Sequence, residues 1–152
     1  MRTETKWAVI ASFVVFIWMV IQKLIGLQTA DNLSTLDIVN SIASLVIWVF
    51  IYYMFTREKR EVDLGGYMTW KQGFWAAAIM TLILIPISTL LVYIFAKAIN
   101  PGFPPILMEH VTNGSIESDP INFFLRGHVL PAILGGLLFS ALFPFFMKKS
   151  AA

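Results

Sequence analysis

The run "QGFWAAAIMTLILIPISTLLVYIFA", Gln72–Ala96, contains no ionisable acid or base other than Tyr93. Its length meets the roughly 17 to 25 residues that a membrane-crossing helix needs. Pro86 near its middle would argue against a helix in water. In a bilayer such a proline is tolerated, because neighbouring helices re-satisfy the freed backbone groups. This stretch therefore decides the solvent, and with it the fold class.

Three further runs support the same reading. Trp7–Leu27 is uncharged up to Gln22, and Lys23 stands close enough to its end to snorkel. Ile38–Thr56 carries no charge, and Gly127–Met147 carries none apart from what His128 can acquire. The opening "MRTETK" with its apolar sequel has the outline of a signal peptide, but no small-x-small cleavage pattern occurs in "GLQTADN", so the run is read as a retained span. The chain of 152 residues has 58% hydrophobic and only 13% charged residues, about half the charge of a soluble domain. The expected fold is a single all-α transmembrane domain, 1–152, with four transmembrane helices in an antiparallel bundle, at about 7–27, 38–56, 72–96 and 127–147, and an outer loop at 98–126.

Charge sets the expected orientation. Of the 11 lysines and arginines, Arg2, Lys6, Arg57, Lys59, Arg60, Lys71, Lys148 and Lys149 fall on one side, and Lys23, Lys97 and Arg126 on the other. The positive-inside rule then places both termini in the cytoplasm. The most charged segment, "FTREKREVDLGGYMTWKQGFW" at 55–75, becomes the cytoplasmic turn between the second and third helices. Arg57, Lys59 and Arg60 are its candidates for contact with headgroups or with a partner protein. A net charge of +2 gives no case for nucleic acid, and the absence of cysteine excludes disulfides and thiolate chemistry.

Small residues mark where membrane helices approach closely. Gly73, Ala77 and Thr81 lie at spacing four on the third helix, and Ala132, Gly136 and Ser140 do so on the fourth. Each set occupies one face, and the two are expected to meet. On the second helix Asn40, Ser41 and Ser44 form a short polar face, read as helix-to-helix hydrogen bonding worth about 0.6 kcal/mol per bond.

"REKREVDLGGYMTWKQGF", a long apolar helix and then "YIFAKAINPGF" together resemble an uncharacterised bacterial inner-membrane family of four-helix proteins, classed as a domain of unknown function. The matching residues are Arg57 to Arg60, Gly65, Gly66, Thr69, Gln72, Gly73 and Phe74, followed by Ile99, Asn100, Pro101 and Phe103. Gly102, inserted before Phe103, departs from the family's Asn-Pro-aromatic junction. The resemblance implies a multi-pass protein of the bacterial cytoplasmic membrane and brings no activity or ligand.

Reactive groups gather only in the outer segment. Glu109, His110, Glu117, Asp119 and the adjacent His128 are metal-ligand types without a metal-site spacing. Asn113–Ser115 matches a glycosylation pattern but reads as an Asn-Gly turn, and "PPILMEHV" as the start of an amphipathic surface segment. No catalytic, metal or cofactor site is expected. With no Asp, Glu, Lys or Arg near the middle of a helix, an ion-coupled transporter is disfavoured. The expected function is that of a non-enzymatic accessory or assembly subunit that acts through other membrane proteins or self-association. A small oligomeric channel or transporter for a neutral or weakly selected solute, with Asn40/Ser44 and Thr81/Ser88 meeting across subunits, is the alternative. An outer-surface enzyme using Glu109, His110 or His128 comes third.

Overall fold

The computed structural model describes residues 2–114 and 118–149. Five α-helices follow in order: α1 (Thr3–Leu24), α2 (Leu33–Glu58), α3 (Trp70–Ile94), α4 (Phe103–Thr112) and α5 (Pro120–Met147). Four of them, α1, α2, α3 and α5, are long and apolar enough to cross a membrane. They run antiparallel to their chain neighbours and pack as one all-α bundle, so the chain is a multi-pass membrane protein.

The helix ends have local causes. Thr69 caps α3 reciprocally with Gln72: its hydroxyl accepts from the Gln72 N–H at 3.3 Å, and its own N–H donates to Gln72 Oε1 at 2.9 Å. That Thr-x-x-Gln box starts α3 two residues before the apolar run does. A π turn at Phe95–Ile99 extends the far end of α3. There the Asn100 N–H donates to the Phe95 carbonyl at 2.8 Å, and Pro101 stops the helix. Asp119 accepts from the Asn122 N–H at 2.9 Å and caps α5, with Pro120 in the first turn.

The segment 98–126, expected as a loop, is largely helical. It holds all of α4 and the first two turns of α5, because "FPP" supplies prolines at an α4 start and "DP" a cap and first-turn proline for α5. Asn113, at φ 50°, ends α4 in the left-handed conformation. Ser115 and Glu117 lie outside the described residues.

Both termini emerge on one face. The main chain there is closed by an antiparallel bridge, in which Met68 and Lys149 exchange two N–H···O bonds of 3.0 Å each. The charged residues of that face form a collar. Lys59 reaches Glu4 and Asp63, each at 2.7 Å, and Lys6 binds Glu58, which also accepts from the Trp7 indole at 3.0 Å. Arg60 pairs with Glu61 and donates to the Met147 carbonyl at 3.0 Å. Lys59 and Arg60 thus tie α1, α2 and the end of α5 together within the chain, while Arg57 stands exposed.

Apolar packing is divided between two clusters. The one toward the termini joins Trp7, Ala8 and Ala11 of α1, Ile51, Tyr52 and Phe55 of α2, and Ala76, Ala77, Met80 and Leu84 of α3. The other, at the far face, joins Leu33, Leu36, Phe95 and Phe103. Between these clusters the bundle is not closed.

Candidate functional site

α3 and α5 meet along their small residues. A Cβ on Gly136 would collide with Thr81 Cγ2 and lie 3.2 Å from the Tyr52 hydroxyl. One on Gly73 would lie 2.5 Å from Pro144 Cβ. Ala77 and Ser140 are fully buried, and Thr81 is 5% exposed. Ala132 is only half-buried and turns toward open space beside the seam. The Gly73 contact with Pro144 is absent from the small-residue pattern because proline is not a small residue. Its ring is nonetheless flat enough to receive a backbone.

α2 stands away from this seam. It buries residues only at its two ends, Leu33 and Leu36 at one and Ile51, Tyr52, Phe55 and Thr56 at the other. From Asp37 to Phe50 nothing on it is buried. On α5 the buried residues are Gly136, Ser140 and Pro144, all toward the termini face. The outer halves of α2 and α5 therefore diverge, and a cleft of about 510 Å³ lies between them. Small-molecule sites commonly have volumes of roughly 300 to 1,000 Å³.

The floor of the cleft is well built. Tyr52 bonds to Thr81 Oγ1 at 2.5 Å, and its ring lies 5.4 Å from Phe139 and 6.4 Å from Phe143. α1 and α3 form the back wall, with Trp18, Met19, Leu84 and Val92. α4 lies across the far end, joined to α2 by His110 and Asp37 at 3.3 Å and to α5 by the edge-to-face pair Phe103 and Phe124 at 5.6 Å. Asn40 and Ser41 on one wall and Gly127 and Pro131 on the other are exposed, so the cleft opens sideways between α2 and α5. In a bilayer that opening faces lipid.

A chain of amides lines the far end. Asn100 Nδ2 donates to Gln28 Oε1 at 2.7 Å, Gln28 Nε2 to Gln22 Oε1 at 3.2 Å, and Gln22 Nε2 to Asn40 Oδ1 at 2.8 Å. The asparagine of the Asn-Pro-aromatic junction thereby reaches the α1–α2 connection and, through it, the cleft. On the opposite wall His128 Nε2 meets Ser88 Oγ at 2.9 Å.

The reactive residues of the outer segment are dispersed. His110 faces Asp37, His128 faces Ser88, Asp119 caps its own helix, Glu109 is exposed, and Glu117 lies outside the described residues. Among the described residues no three metal-ligating side chains come together. Of the polar face on α2, Ser44 donates to Asn40 Oδ1 at 3.4 Å and Ser41 to the Asp37 carbonyl at 2.7 Å. Asn40 is the member that reaches across to another helix. Gln22, Gln28 and Trp18, which complete its surroundings, carry no sequence pattern that would have joined them to it.

Tyr52→Phe should lower thermal stability only slightly, by about 0.6 kcal/mol. Thr81 Oγ1 keeps its 2.9 Å bond to the Ala77 carbonyl, so no buried polar atom is orphaned. Unfolding in mild detergent measures the difference.

The bundle, its sideways cleft and its paired polar collar define a multi-pass membrane protein with a lipid-facing cavity. The chain belongs to a family described as "Protein of unknown function (DUF4199)", whose model covers residues 6–149. Neither the curated proteins nor the solved structures give a match.

Proposed function

We propose that this is a non-enzymatic integral membrane protein that acts by binding, and that the cleft between α2 and α5 receives a molecule from within the bilayer. The observation that carries this reading is the unburied stretch of α2 from Asp37 to Phe50, held off α5 over a cavity with a closed floor. A helix that merely completed a bundle would be packed along its length. The bound molecule is what this accessory subunit stores or presents to another membrane protein. An oligomeric pore is less well supported, because Thr81 and Ser88, which would have to meet across subunits, are buried within one copy and bonded there to Tyr52 and His128.

Native mass spectrometry of protein extracted in mild detergent tests the reading. Gly135 lines the cleft, and a Cβ there would meet nothing within 4 Å. Wild-type protein is expected to retain a bound lipid, and Gly135→Trp to lose it while still folding. Two bare proteins, or two equally loaded ones, would refute the proposal.

The orientation we propose has both termini in the cytoplasm of a bacterial cell and the cleft in the outer leaflet, on the strength of the eight-to-three split of basic residues. Single cysteines at Lys149 and Asn113, in a chain that has none, should be labelled from the inside and the outside respectively. Labelling of Asn113→Cys from the cytoplasmic side alone would reverse the assignment.

A further inference from the structure

Asn40 Oδ1 is the meeting point of three donors: Gln22 Nε2 at 2.8 Å, Trp18 Nε1 at 3.1 Å and Ser44 Oγ at 3.4 Å. That convergence fixes which end of the amide is oxygen. The opposite end, Nδ2, carries two protons and has no acceptor among the described residues. It stands on the wall of the cleft. Asn40 is exposed at the mouth of the cleft, so a molecule entering there gains a hydrogen bond by supplying an oxygen.

The charge of the walls narrows the choice. Asp37, one turn from Asn40, lines the same end, and among the described residues no lysine, arginine or glutamate lines the cleft. A phosphate or carboxylate would meet the Asp37 carboxylate with only two imidazoles at hand, His110, which already faces Asp37 at 3.3 Å, and His128, which faces Ser88 at 2.9 Å. The shape narrows it further. Asn40 and Tyr52 are twelve residues apart on α2, about 18 Å along a helix. A chain of that length reaches from the Asn40 amide to the floor of the cleft, whose volume of about 510 Å³ lies in the range of small-molecule sites.

Resting on the binding role proposed above, we propose that the cleft takes a neutral amphiphile, whose carbonyl, ester or hydroxyl oxygen accepts from Asn40 Nδ2 and whose apolar chain runs inward to Tyr52 and Phe139. Trp18 and Gln22 are positioning residues, since they act by holding the Asn40 amide.

Photoreactive probes with a diazirine at the chain end test this in nanodiscs. One probe is a monoacylglycerol, and the other carries the same chain on a phosphate head. The neutral probe should label peptides containing Tyr52 or Phe139, and the phosphate probe about tenfold less. Asn40→Asp keeps the oxygen that Trp18 and Gln22 need but removes the protons, and should lower neutral-probe labelling about tenfold. Asn40→Gln, which retains an amide N–H, should lose less. Equal labelling by the two probes in the wild type, or labelling unchanged by Asn40→Asp, would overturn the neutral-head assignment while leaving the cleft as a binding site. Labelling outside the cleft that Gly135→Trp does not reduce would overturn both. If Asn40→Asp fails to fold, the comparison of the two probes on the wild type still decides.

Discussion

Gly136→Leu is expected to destabilise the bundle by about 3 kcal/mol or more, and to do so by separating α3 from α5. The added Cβ alone collides with Thr81 Cγ2. Thr81 is poorly placed to yield, because its hydroxyl is bonded both to the Ala77 carbonyl at 2.9 Å and to Tyr52 at 2.5 Å. Relief would require moving a backbone or breaking both bonds. Leu138, two residues away, is 56% exposed and faces away from the seam. Leu138→Ala should therefore cost less than about 1 kcal/mol. Thermal unfolding in one detergent compares the two, and equal midpoints would remove the tight seam.

Lys59→Met is the second large effect, at about 2 to 3 kcal/mol. The Lys59 and Glu4 side chains are 17% and 11% exposed, so removing the ammonium leaves a mostly buried carboxylate without its cation. Asp63 loses the same partner but retains the Thr3 hydroxyl at 3.0 Å. Adding Glu4→Gln to Lys59→Met should restore part of the loss, because the stranded charge is then gone. Arg57→Gln, at an exposed position two residues earlier, should lie within about 0.5 kcal/mol of wild type. Equal effects at Lys59 and Arg57 would show that the collar contributes nothing beyond net charge.

These two sites differ in how far the sequence discloses them. Hydropathy alone identifies the four spans, because a bilayer requires long apolar helices whatever their packing. Gly136 and Thr81 are legible as members of spaced small-residue sets, since close backbone approach restricts residue type. The collar is not legible. A count of charges near a span gives an orientation, but whether Lys59 meets Glu4 depends on where α1 begins relative to the end of α2. The start of α3 was readable from Thr69 and Gln72, a capping box that hydropathy overlooks.

The cleft was the least accessible feature. A lipid-facing helix and a helix set back from its neighbours have the same apolar composition, so the parting of α2 from α5 leaves no periodic trace. Its polar end draws Gln22, Gln28, Asn40 and Asn100 from two helices and two connections. No fixed spacing links residues that only tertiary structure assembles. Asn40 stood out as polar within an apolar run, and its environment, not its presence, distinguishes a binding residue from an interhelical hydrogen bond.

The most direct measurement is a crystal structure from a lipidic mesophase doped with a neutral single-chain lipid brominated near its chain end. α2 and α5 should stand apart between Asn40 and Tyr52, with a bromine anomalous peak beside Tyr52 and Phe139. Outer halves of α2 and α5 packed directly against each other, with no space and no bromine between them, would contradict that arrangement.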